Sequence, residues 1–263
     1  MGFLSDFVAE MRRELAERPL DHDALTAAAQ AAPTARPFAS TLRGAAAADG
    51  VALIAEVKRA SPSSGEIAAD ADPVRQAIAY ERGGAAVISV LTEPRHFGGS
   101  LDDLRAVRAA VQHPVLRKDF LVHPDQVLEA RAAGADTVLL MASCLPDEQL
   151  AWMLGVARGL GMEPLVETHS DEDLERALAT DAEVVGVNAR DLESLDVDVP
   201  AALGRLSRIG AGRVAVLESG IRDRDDVLAA MRAGASAILV GESLMRADDP
   251  GAAVDALIHG KDR

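Results

Sequence analysis

Residues 51–58 read Val-Ala-Leu-Ile-Ala-Glu-Val-Lys, an apolar run that ends in two charged side chains. Branched apolar residues favour strands, and a continuously apolar run is typical of a parallel strand that is buried on both faces. Glu56 and Lys58 are two residues apart, so their side chains point to the same side of the strand. The stretch therefore predicts a buried parallel strand with a charged pair at its carboxyl end.

The same unit, an apolar run followed by a helix-like segment, recurs along the whole chain. Three of the helix-like segments end in a glycine before the next run, at Gly84, Gly134 and Gly234, where glycine supplies a left-handed C-cap. The predicted strands cover residues 51–57, 85–91, 114–118, 137–141, 163–167, 183–188, 213–218 and 236–240.

Eight such units in a chain of 263 residues are the usual content of one α/β barrel. An open doubly wound sheet is less consistent with the sequence, because no G-x-G-x-x-G motif follows a predicted strand. We therefore predict an α/β fold, a (β/α)8 TIM barrel, as one domain over residues 1–263. Residues 1–50 read as a helical N-terminal extension that caps one end of the barrel or lies over its active site.

Composition restricts the partners. The formal charge of −15 disfavours binding to nucleic acid or to an anionic membrane surface. The single cysteine, Cys144, leaves no disulfide framework and no cysteine-based metal cluster. The chain has no apolar run of about 18 residues and no stretch that resembles a signal peptide. We expect a cytoplasmic protein whose partner is a small molecule, and a monomer, with a weak dimer as the alternative.

Lysine is scarce in this chain. Only three of the 27 basic residues are lysines, namely Lys58, Lys118 and Lys261, and Asn188 is the only asparagine. Arginine keeps its proton near neutral pH, whereas lysine can release one and has a more compact charged group. Two of the lysines lie at predicted strand ends, which indicates a chemical role there, although simple packing would give the same pattern.

Polar residues collect at the carboxyl ends of the predicted strands, which form the active site of a TIM barrel. Burying so many charges is costly unless they pair with one another, so the set favours an active site over a structural ring of ion pairs. The residues concerned are Glu56, Lys58, Lys118, Glu167, Asn188, Arg190 and Glu218.

Glycines follow the last two predicted strands. Ser219 and Gly220 come after the seventh strand, and Gly241 and Glu242 come after the eighth, where a short helix is predicted to begin. Glycine allows the backbone to approach an anion, and N–H groups at a helix start point toward it. The pattern favours a phosphate site, although tight turns alone also use such glycines.

Seven segments together resemble the indole-3-glycerol-phosphate synthase family. The first segment, residues 53–63, resembles the signature of that family, and the others follow in the family's order. The remaining segments are residues 89–93 together with 97–100, and residues 116–120, 163–167, 186–192, 218–221 and 240–245.

The resemblance implies closure of an indole ring on 1-(2-carboxyphenylamino)-1-deoxyribulose 5-phosphate, with release of carbon dioxide and water and without cofactor or metal. By resemblance, Lys118 gives a proton to the ribulose carbonyl, and Glu167 is the base and the partner of the positive intermediate. Lys58 would hold the carboxylate or phosphate end and give a proton in the dehydration. Glu56 would pair with a lysine and help to expel the hydroxyl group, and Asn188 would bind a substrate hydroxyl.

The same resemblance implies the binding residues. Glu218 would brace Asn188 or a lysine, and Glu242 would bind phosphate only through its backbone. A loop that begins at Ser61 would close over the phosphate side, and an aromatic side chain of the extension, Phe3, Phe7 or Phe38, would cover the substrate. The remaining substrate-binding residues are Pro62, Phe97, Phe120, Leu139, Arg190, Leu192 and Ser219, and the phosphate-binding residues are Ser219, Gly220, Gly241 and Glu242.

Two other functions fit parts of the sequence. Phosphoribosylanthranilate isomerase is also a phosphate-binding barrel, but it works with a cysteine and an aspartate, whereas the first strand here ends in Glu56 and Lys58. A non-catalytic barrel that binds a phosphorylated ligand would need the glycines, but not Lys118, Glu56 and Glu167 together.

Overall fold

The computed structural model describes residues 2–260, apart from the side chain of Phe3. Eight parallel strands close into a barrel in the order β1-β8-β7-β6-β5-β4-β3-β2. Each strand pairs with two neighbours, so the barrel has no exposed sheet edge. The strands are β1 (Ala52–Val57), β2 (Val87–Leu91), β3 (Val115–Lys118), β4 (Thr137–Met141), β5 (Leu165–Thr168), β6 (Val184–Asn188), β7 (Val214–Glu218) and β8 (Ala237–Val240).

Helices alternate with the strands and cover the outside of the barrel, which confirms the predicted (β/α)8 TIM barrel. A short antiparallel hairpin, Ala60–Ser61 with Gly65–Glu66, follows β1. The helices are α1 (Phe3–Glu17), α2 (His22–Ala31), α3 (Phe38–Asp49), α4 (Pro73–Arg82), α5 (Pro94–Phe97), α6 (Leu101–Ala110), α7 (Pro124–Ala132), α8 (Asp147–Gly159), α9 (Asp171–Ala179), α10 (Val199–Leu206), α11 (Arg224–Arg232), α12 (Glu242–Met245) and α13 (Pro250–His259).

Local sequence explains where these elements begin and end. Asp72 caps α4 by accepting hydrogen bonds from Val74 N and Arg75 N, and Ser170 caps α9 in the same way. The three predicted C-cap glycines have positive φ angles of 96° to 100°, which confirms their left-handed conformation. All eight strands are lined by buried apolar side chains, as parallel strands covered by helices require.

The N-terminal extension reaches both ends of the barrel. At the amino end of the strands, Glu163 accepts hydrogen bonds from the backbone N–H groups of Phe38 and Ala39, which fixes the start of α3. At the carboxyl end, Arg12 of α1 donates to the carbonyl of Cys144. The extension therefore contacts the amino end of the barrel through α3 and the carboxyl end through α1.

Two aromatic side chains lie on helices that cover the barrel. Tyr80 is fully buried on α4, whereas Trp152 on α8 is 58% exposed. The helical spacing of α8 turns Leu150, Met153 and Leu154 toward the barrel, which leaves Trp152 facing outward. Within residues 2–260, no helix combines the length and the apolar character of a membrane span.

Candidate active site

A cavity of about 700 Å³ opens at the carboxyl ends of the strands. Its volume lies in the range of sites that bind small molecules. Every residue predicted to belong to the site contributes to its wall, so the fold brings together side chains from positions 56 to 242. They are Glu56, Lys58, Ser61, Pro62, Phe97, Lys118, Phe120, Leu139, Glu167, Asn188, Arg190, Leu192, Glu218, Ser219, Gly220, Gly241 and Glu242.

Four charged residues at the floor of the cavity come from alternate strands. Glu56 lies on β1, Lys118 on β3, Glu167 on β5 and Glu218 on β7. The interior of a TIM barrel is filled in layers, and each layer takes one side chain from every second strand. The topology therefore makes neighbours of four residues that are far apart in sequence.

Lys118 and Glu167 form the central ion pair of this layer, with Lys118 Nζ 2.7 Å from Glu167 Oε2. The Lys118 side chain is 13% exposed and that of Glu167 only 1%. Burial alone would lower the pKa of Lys118, but the carboxyl groups of Glu167, Glu218 and Glu56 together outweigh this and raise it above its ordinary value. Burial would raise the pKa of Glu167, but Lys118 and His169 hold it well below its usual range. At neutral pH the pair is an ammonium and a carboxylate.

Glu218 is the third member of the cluster, with Oε2 3.5 Å from Lys118 Nζ. Burial and the nearby Glu167 carboxylate raise its pKa well above the ordinary value. One ammonium therefore lies beside two acids whose pKa values shift in opposite directions, downward for Glu167 and upward for Glu218. Gly186 makes room for the Glu218 carboxyl, because a Cβ at Gly186 would lie 2.2 Å from Glu218 Oε1.

Glu56 and Lys58, the pair that ends the first strand, are joined by a 3.0 Å contact between Oε1 and Nζ. Ser89 Oγ of β2 lies 3.5 Å from the other Glu56 oxygen. Glu56 is buried, whereas the Lys58 side chain is partly exposed toward the mouth. Lys58 is thus paired with the Glu56 carboxylate and stays within reach of a ligand.

Asn188 extends the network from β6. Its Nδ2 donates to Glu167 Oε1 over 3.2 Å, and its Oδ1 accepts from the backbone N–H of Arg190 over 3.0 Å. The Arg190 guanidinium donates to the carbonyl of Leu195, which draws the loop after β6 over the cavity. Asn188 therefore orients the Glu167 carboxylate as well as lining the site.

The loops after β7 and β8 form a polar end of the cavity. Ser219 and Gly220 have φ angles of 64° and 78°, so two successive residues are left-handed. This conformation is strained for serine and is typical of functional turns that aim backbone N–H groups at an anion. The Oγ of Ser243 is buried and has no hydrogen-bond partner among the described residues. These features fit an anion such as phosphate.

Arginines near this polar end were not predicted. Arg222 and Arg246 both line the cavity, together with Ser243. Arg222 pairs with Asp226 and is largely exposed, whereas Arg246 pairs with Glu242. Their positions, only a few residues after the predicted phosphate glycines, were the sequence signal that could have identified them.

The Glu242 side chain is bound away from the polar end. Its Oε2 accepts a hydrogen bond from Ser64 Oγ over 2.8 Å, and its Oε1 lies 3.1 Å from Arg246 Nη2. These two partners keep the carboxylate occupied, as expected for a residue that offers only its backbone to an anion. Because Ser64 belongs to the hairpin after β1, the same hydrogen bond fastens that loop over the mouth.

Aromatic side chains line the opposite end. Phe97 and Phe120 line the cavity with their ring centroids 6.1 Å apart. Phe7 of α1 packs on Phe120 with a centroid distance of 4.6 Å, so Phe7 is the described aromatic of the extension that reaches the site. Phe38 is instead fully buried at the start of α3, and the side chain of Phe3 lies outside the described residues.

Buried Glu93 holds the turn that carries Phe97. Its carboxylate accepts hydrogen bonds from the backbone N–H groups of Arg95, His96 and Phe97, and so caps α5. His96 also packs edge-on against Phe7, with a centroid distance of 5.3 Å. The capped turn therefore gives the aromatic wall a defined position.

The family model described as indole-3-glycerol phosphate synthase matches residues 4–257 of this chain. The chain belongs to the indole-3-glycerol phosphate synthase family. An indole-3-glycerol phosphate synthase of Mycobacterium avium (strain 104) is 51% identical over 234 residues, which cover 89% of this chain and 85% of the relative. One of Streptomyces griseus is 48% identical over 260 residues, which cover 98% of this chain and 95% of the relative.

Solved structures with low sequence identity share the fold. A 3-hexulose-6-phosphate synthase superimposes with a TM-score of 0.63 at 20% identity, over 80% of this chain and 99% of the other. A thiamine phosphate pyrophosphorylase from Pyrococcus furiosus superimposes with a TM-score of 0.58 at 19% identity, over 82% of this chain and 95% of the other. At such identities the likeness shows the barrel fold alone.

Proposed function

We propose that this protein is an indole-3-glycerol-phosphate synthase of tryptophan biosynthesis, a decarboxylating carbon–carbon lyase. Its substrate is 1-(2-carboxyphenylamino)-1-deoxyribulose 5-phosphate, and its products are indole-3-glycerol phosphate, carbon dioxide and water. It works in the cytoplasm as a monomer, and residues 1–263 form one catalytic domain. The observation that carries the proposal is the buried Lys118 ammonium, 2.7 Å from Glu167, on the floor of a cavity with a polar end and an aromatic end.

Ring closure needs a proton on the ribulose carbonyl, because attack by the aryl carbon places negative charge on that oxygen. Lys118 donates this proton. A buried ammonium stabilises developing negative charge more strongly than an exposed one, and a lysine can complete the transfer. Glu167 keeps Lys118 protonated before the reaction and then faces the positive charge on the substrate nitrogen.

Dehydration follows after the carboxyl group has left as carbon dioxide. Lys58 donates a proton to the departing hydroxyl, and Glu56 helps to expel it while holding Lys58 in place. Glu167 acts as the base that removes a proton from the substrate, and Asn188 binds a substrate hydroxyl while keeping Glu167 oriented. Glu218, whose Oε2 lies 3.5 Å from Lys118 Nζ, braces Lys118.

Binding uses the two ends of the cavity. The backbone N–H groups of Ser219, Gly220, Gly241 and Glu242 bind the phosphate, with Ser61 of the hairpin above it. Ser243 and Arg246 add a hydroxyl group and a positive charge. The aryl ring lies in the apolar slot, and Arg190 contacts the substrate from the loop above. The slot is formed by Pro62, Phe97, Phe120, Leu139 and Leu192.

One assay separates this function from its two alternatives. The purified protein is mixed with the carboxyphenylamino substrate, and the rise of indole fluorescence is followed. Fluorescence that grows with enzyme concentration supports the proposal. Conversion of phosphoribosylanthranilate without indole formation would identify the isomerase instead. Binding of phosphorylated ligand without turnover of either substrate would identify a non-catalytic barrel.

A further inference from the structure

The end of β3 carries a charged residue on each side of Lys118 that the proposed chemistry does not use. Arg117 is 4% exposed and Asp119 is 7% exposed, so both are buried. Successive residues of a strand point to opposite sides, so Arg117 points away from Lys118 and outward from the barrel. There its Nη1 lies 2.8 Å from Glu129 Oε2 and 3.1 Å from the carbonyl oxygen of Gln126, both on α7. Arg117 therefore ties the end of β3 to the helix that follows it.

Asp119 joins Arg117 to the end of the neighbouring strand β2. Its Oδ2 lies 3.1 Å from Arg117 Nη2 and also accepts a hydrogen bond from the hydroxyl group of Thr92. Thr92 Oγ1 in turn accepts a hydrogen bond from Arg117 Nε over 3.1 Å, so the three side chains form a closed ring. The other carboxylate oxygen of Asp119 accepts from the backbone N–H of Phe120 over 2.8 Å. We call Thr92, Arg117 and Asp119 the β3 clamp.

The β3 clamp holds the main chain on both sides of Lys118. The residues directly before and after Lys118 both belong to it, and the backbone N–H of Thr92 donates to the Lys118 carbonyl over 3.1 Å. The Lys118 side chain points into the barrel, where its Nζ lies 2.7 Å from Glu167 Oε2 and 3.5 Å from Glu218 Oε2. A shift of the strand end would therefore move the ammonium relative to both acids and to a bound substrate.

Stability alone is a weak reason for burying the charges of the β3 clamp. Apolar side chains of similar volume often replace a buried ion pair without loss of stability. A ring of directed hydrogen bonds differs from apolar packing because it fixes one geometry. A general acid depends on such geometry, since a misplacement of about 1 Å can slow a reaction by about 100-fold. The location of the clamp, around the proposed acid, fits this second role.

We propose that Asp119 is a positioning residue that, together with Arg117 and Thr92, holds the Lys118 ammonium at the place where the ribulose carbonyl oxygen binds. Asp119 borders the cavity, but it acts through Lys118 and not on the substrate. The clamp also fixes the backbone of Phe120, so the acid and the aromatic wall keep a constant separation. The inference rests on Lys118 as the acid of the proposed function.

The first test compares two buried aspartates at opposite ends of β3. Asp119→Asn keeps the size of the side chain but removes the charge opposite Arg117, so kcat should fall about 10- to 100-fold while KM stays within about 3-fold. The matched control is Asp136→Asn at the amino end, where the fully buried carboxylate pairs with Arg108 and accepts from the backbone N–H of Val115. Both variants should have a lower Tm. At a temperature at which it is folded, the control should keep the kcat and KM of the wild-type enzyme.

Thr92 gives a second pair of variants, which remains informative if Asp119→Asn does not fold. Thr92→Val keeps the shape of the side chain and both charges of the clamp, but it removes the bridging hydroxyl group and should lower kcat several-fold. Thr92→Ser keeps the hydroxyl group, so its kcat should stay within about 2-fold of the wild-type value. A packing role alone would give the opposite order, because serine removes a buried methyl group whereas valine keeps the volume.

A double-mutant cycle shows whether Asp119 acts through Lys118. Adding Asp119→Asn to Lys118→Met should change the single-turnover rate constant by less than about 3-fold, because positioning matters only while the acid is present. A residue that acted directly on the substrate would slow Lys118→Met by the same factor as the wild-type enzyme.

The outcomes separate this inference from the function on which it rests. If wild-type enzyme forms indole and Asp119→Asn keeps its kcat, the inference is refuted while the function stands. Equal losses of kcat in Asp119→Asn and Asp136→Asn, or a greater loss in Thr92→Ser than in Thr92→Val, would reduce the clamp to a stabilising role and overturn the inference. Additive losses with Lys118→Met would overturn it as well. If wild-type enzyme forms no indole, the proposed function fails and the inference falls with it.

Discussion

Replacing Lys118 tests the proposed chemistry most sharply. Lys118→Met keeps the length of the side chain and removes the ammonium whose Nζ lies 2.7 Å from Glu167. Loss of a general acid typically slows a reaction by about 10²–10⁴-fold, which corresponds to about 3–5.5 kcal/mol of activation free energy. Because this ammonium is buried and also stabilises charge, we expect the loss to lie at the upper end of that range.

The same substitution has a cost in stability. Removing one member of a buried ion pair costs about 3–5 kcal/mol, since the other charge loses its partner. Glu167 keeps its hydrogen bond from Asn188 and its contact with His169, which places the expected cost at the lower end. At about 2 °C per kcal/mol for a chain of this size, Tm should fall by about 6 °C. The variant should therefore remain folded at room temperature.

The assay is indole fluorescence under single-turnover conditions, with Lys118→Arg as the matched comparison. Arginine keeps the positive charge but cannot give up its proton near neutral pH, so this variant should also lose most of its activity. Full activity of Lys118→Arg would show that the role is purely electrostatic. Normal turnover by Lys118→Met would refute the assignment of Lys118 as the acid.

Three further predictions follow from other contacts. Because the pKa of Glu218 is raised in the folded protein, protonated Glu218 contributes its full stability at pH values below the ordinary glutamate pKa. This contribution is lost progressively as pH rises toward the pKa of Glu218 in the folded protein. Urea unfolding from pH 5 to 8 should therefore show that the free energy of unfolding falls by up to about 1.4 kcal/mol per pH unit, and Glu218→Gln should abolish this fall. Identical slopes for the wild-type protein and the variant would contradict the prediction. Arg246→Ala should raise KM about 10-fold because phosphate binding becomes weaker. Arg105→Ala on α6 is the control and should leave KM unchanged. An unchanged KM for Arg246→Ala would exclude a role of Arg246 in phosphate binding. Phe7→Ala should lower the free energy of unfolding by about 3 kcal/mol, measured by thermal unfolding, and should raise KM, measured by steady-state kinetics. An unchanged KM would show that Phe7 contributes only to packing.

The barrel could be predicted because its physical causes are local and repeated. Buried parallel strands require apolar runs, and each helix end needs a residue that tolerates a left-handed backbone, as at Gly84 and Gly134. All eight predicted strands overlap the observed ones.

The site could be predicted only as a set of strand ends. Sequence placed Glu56, Lys118, Glu167 and Glu218 at one mouth, but the partner of each depends on the layering of alternate strands. That layering makes Glu167 the partner of Lys118 and raises the pKa of Glu218, which is buried beside the Glu167 carboxylate. No local pattern contains this information, because the four residues are separated by up to 162 positions and meet only when the barrel closes.

Residues that act through another residue or across a loop were the hardest to foresee. Ser243 and Arg246 became visible only when the cavity wall was formed, and Phe7 only when α1 was seen to cross onto Phe120. Such contacts arise from packing between elements, which periodicity and capping rules do not describe.

The most direct measurement of the central claim is a crystal structure of Lys118→Met in complex with the carboxyphenylamino substrate. The account predicts the phosphate on the backbone N–H groups of Gly220 and Gly241, the aryl ring against Phe120, and the ribulose carbonyl oxygen at the place vacated by the Lys118 ammonium. A substrate bound with its carbonyl turned away from residue 118, or with its phosphate at the aromatic end, would contradict it.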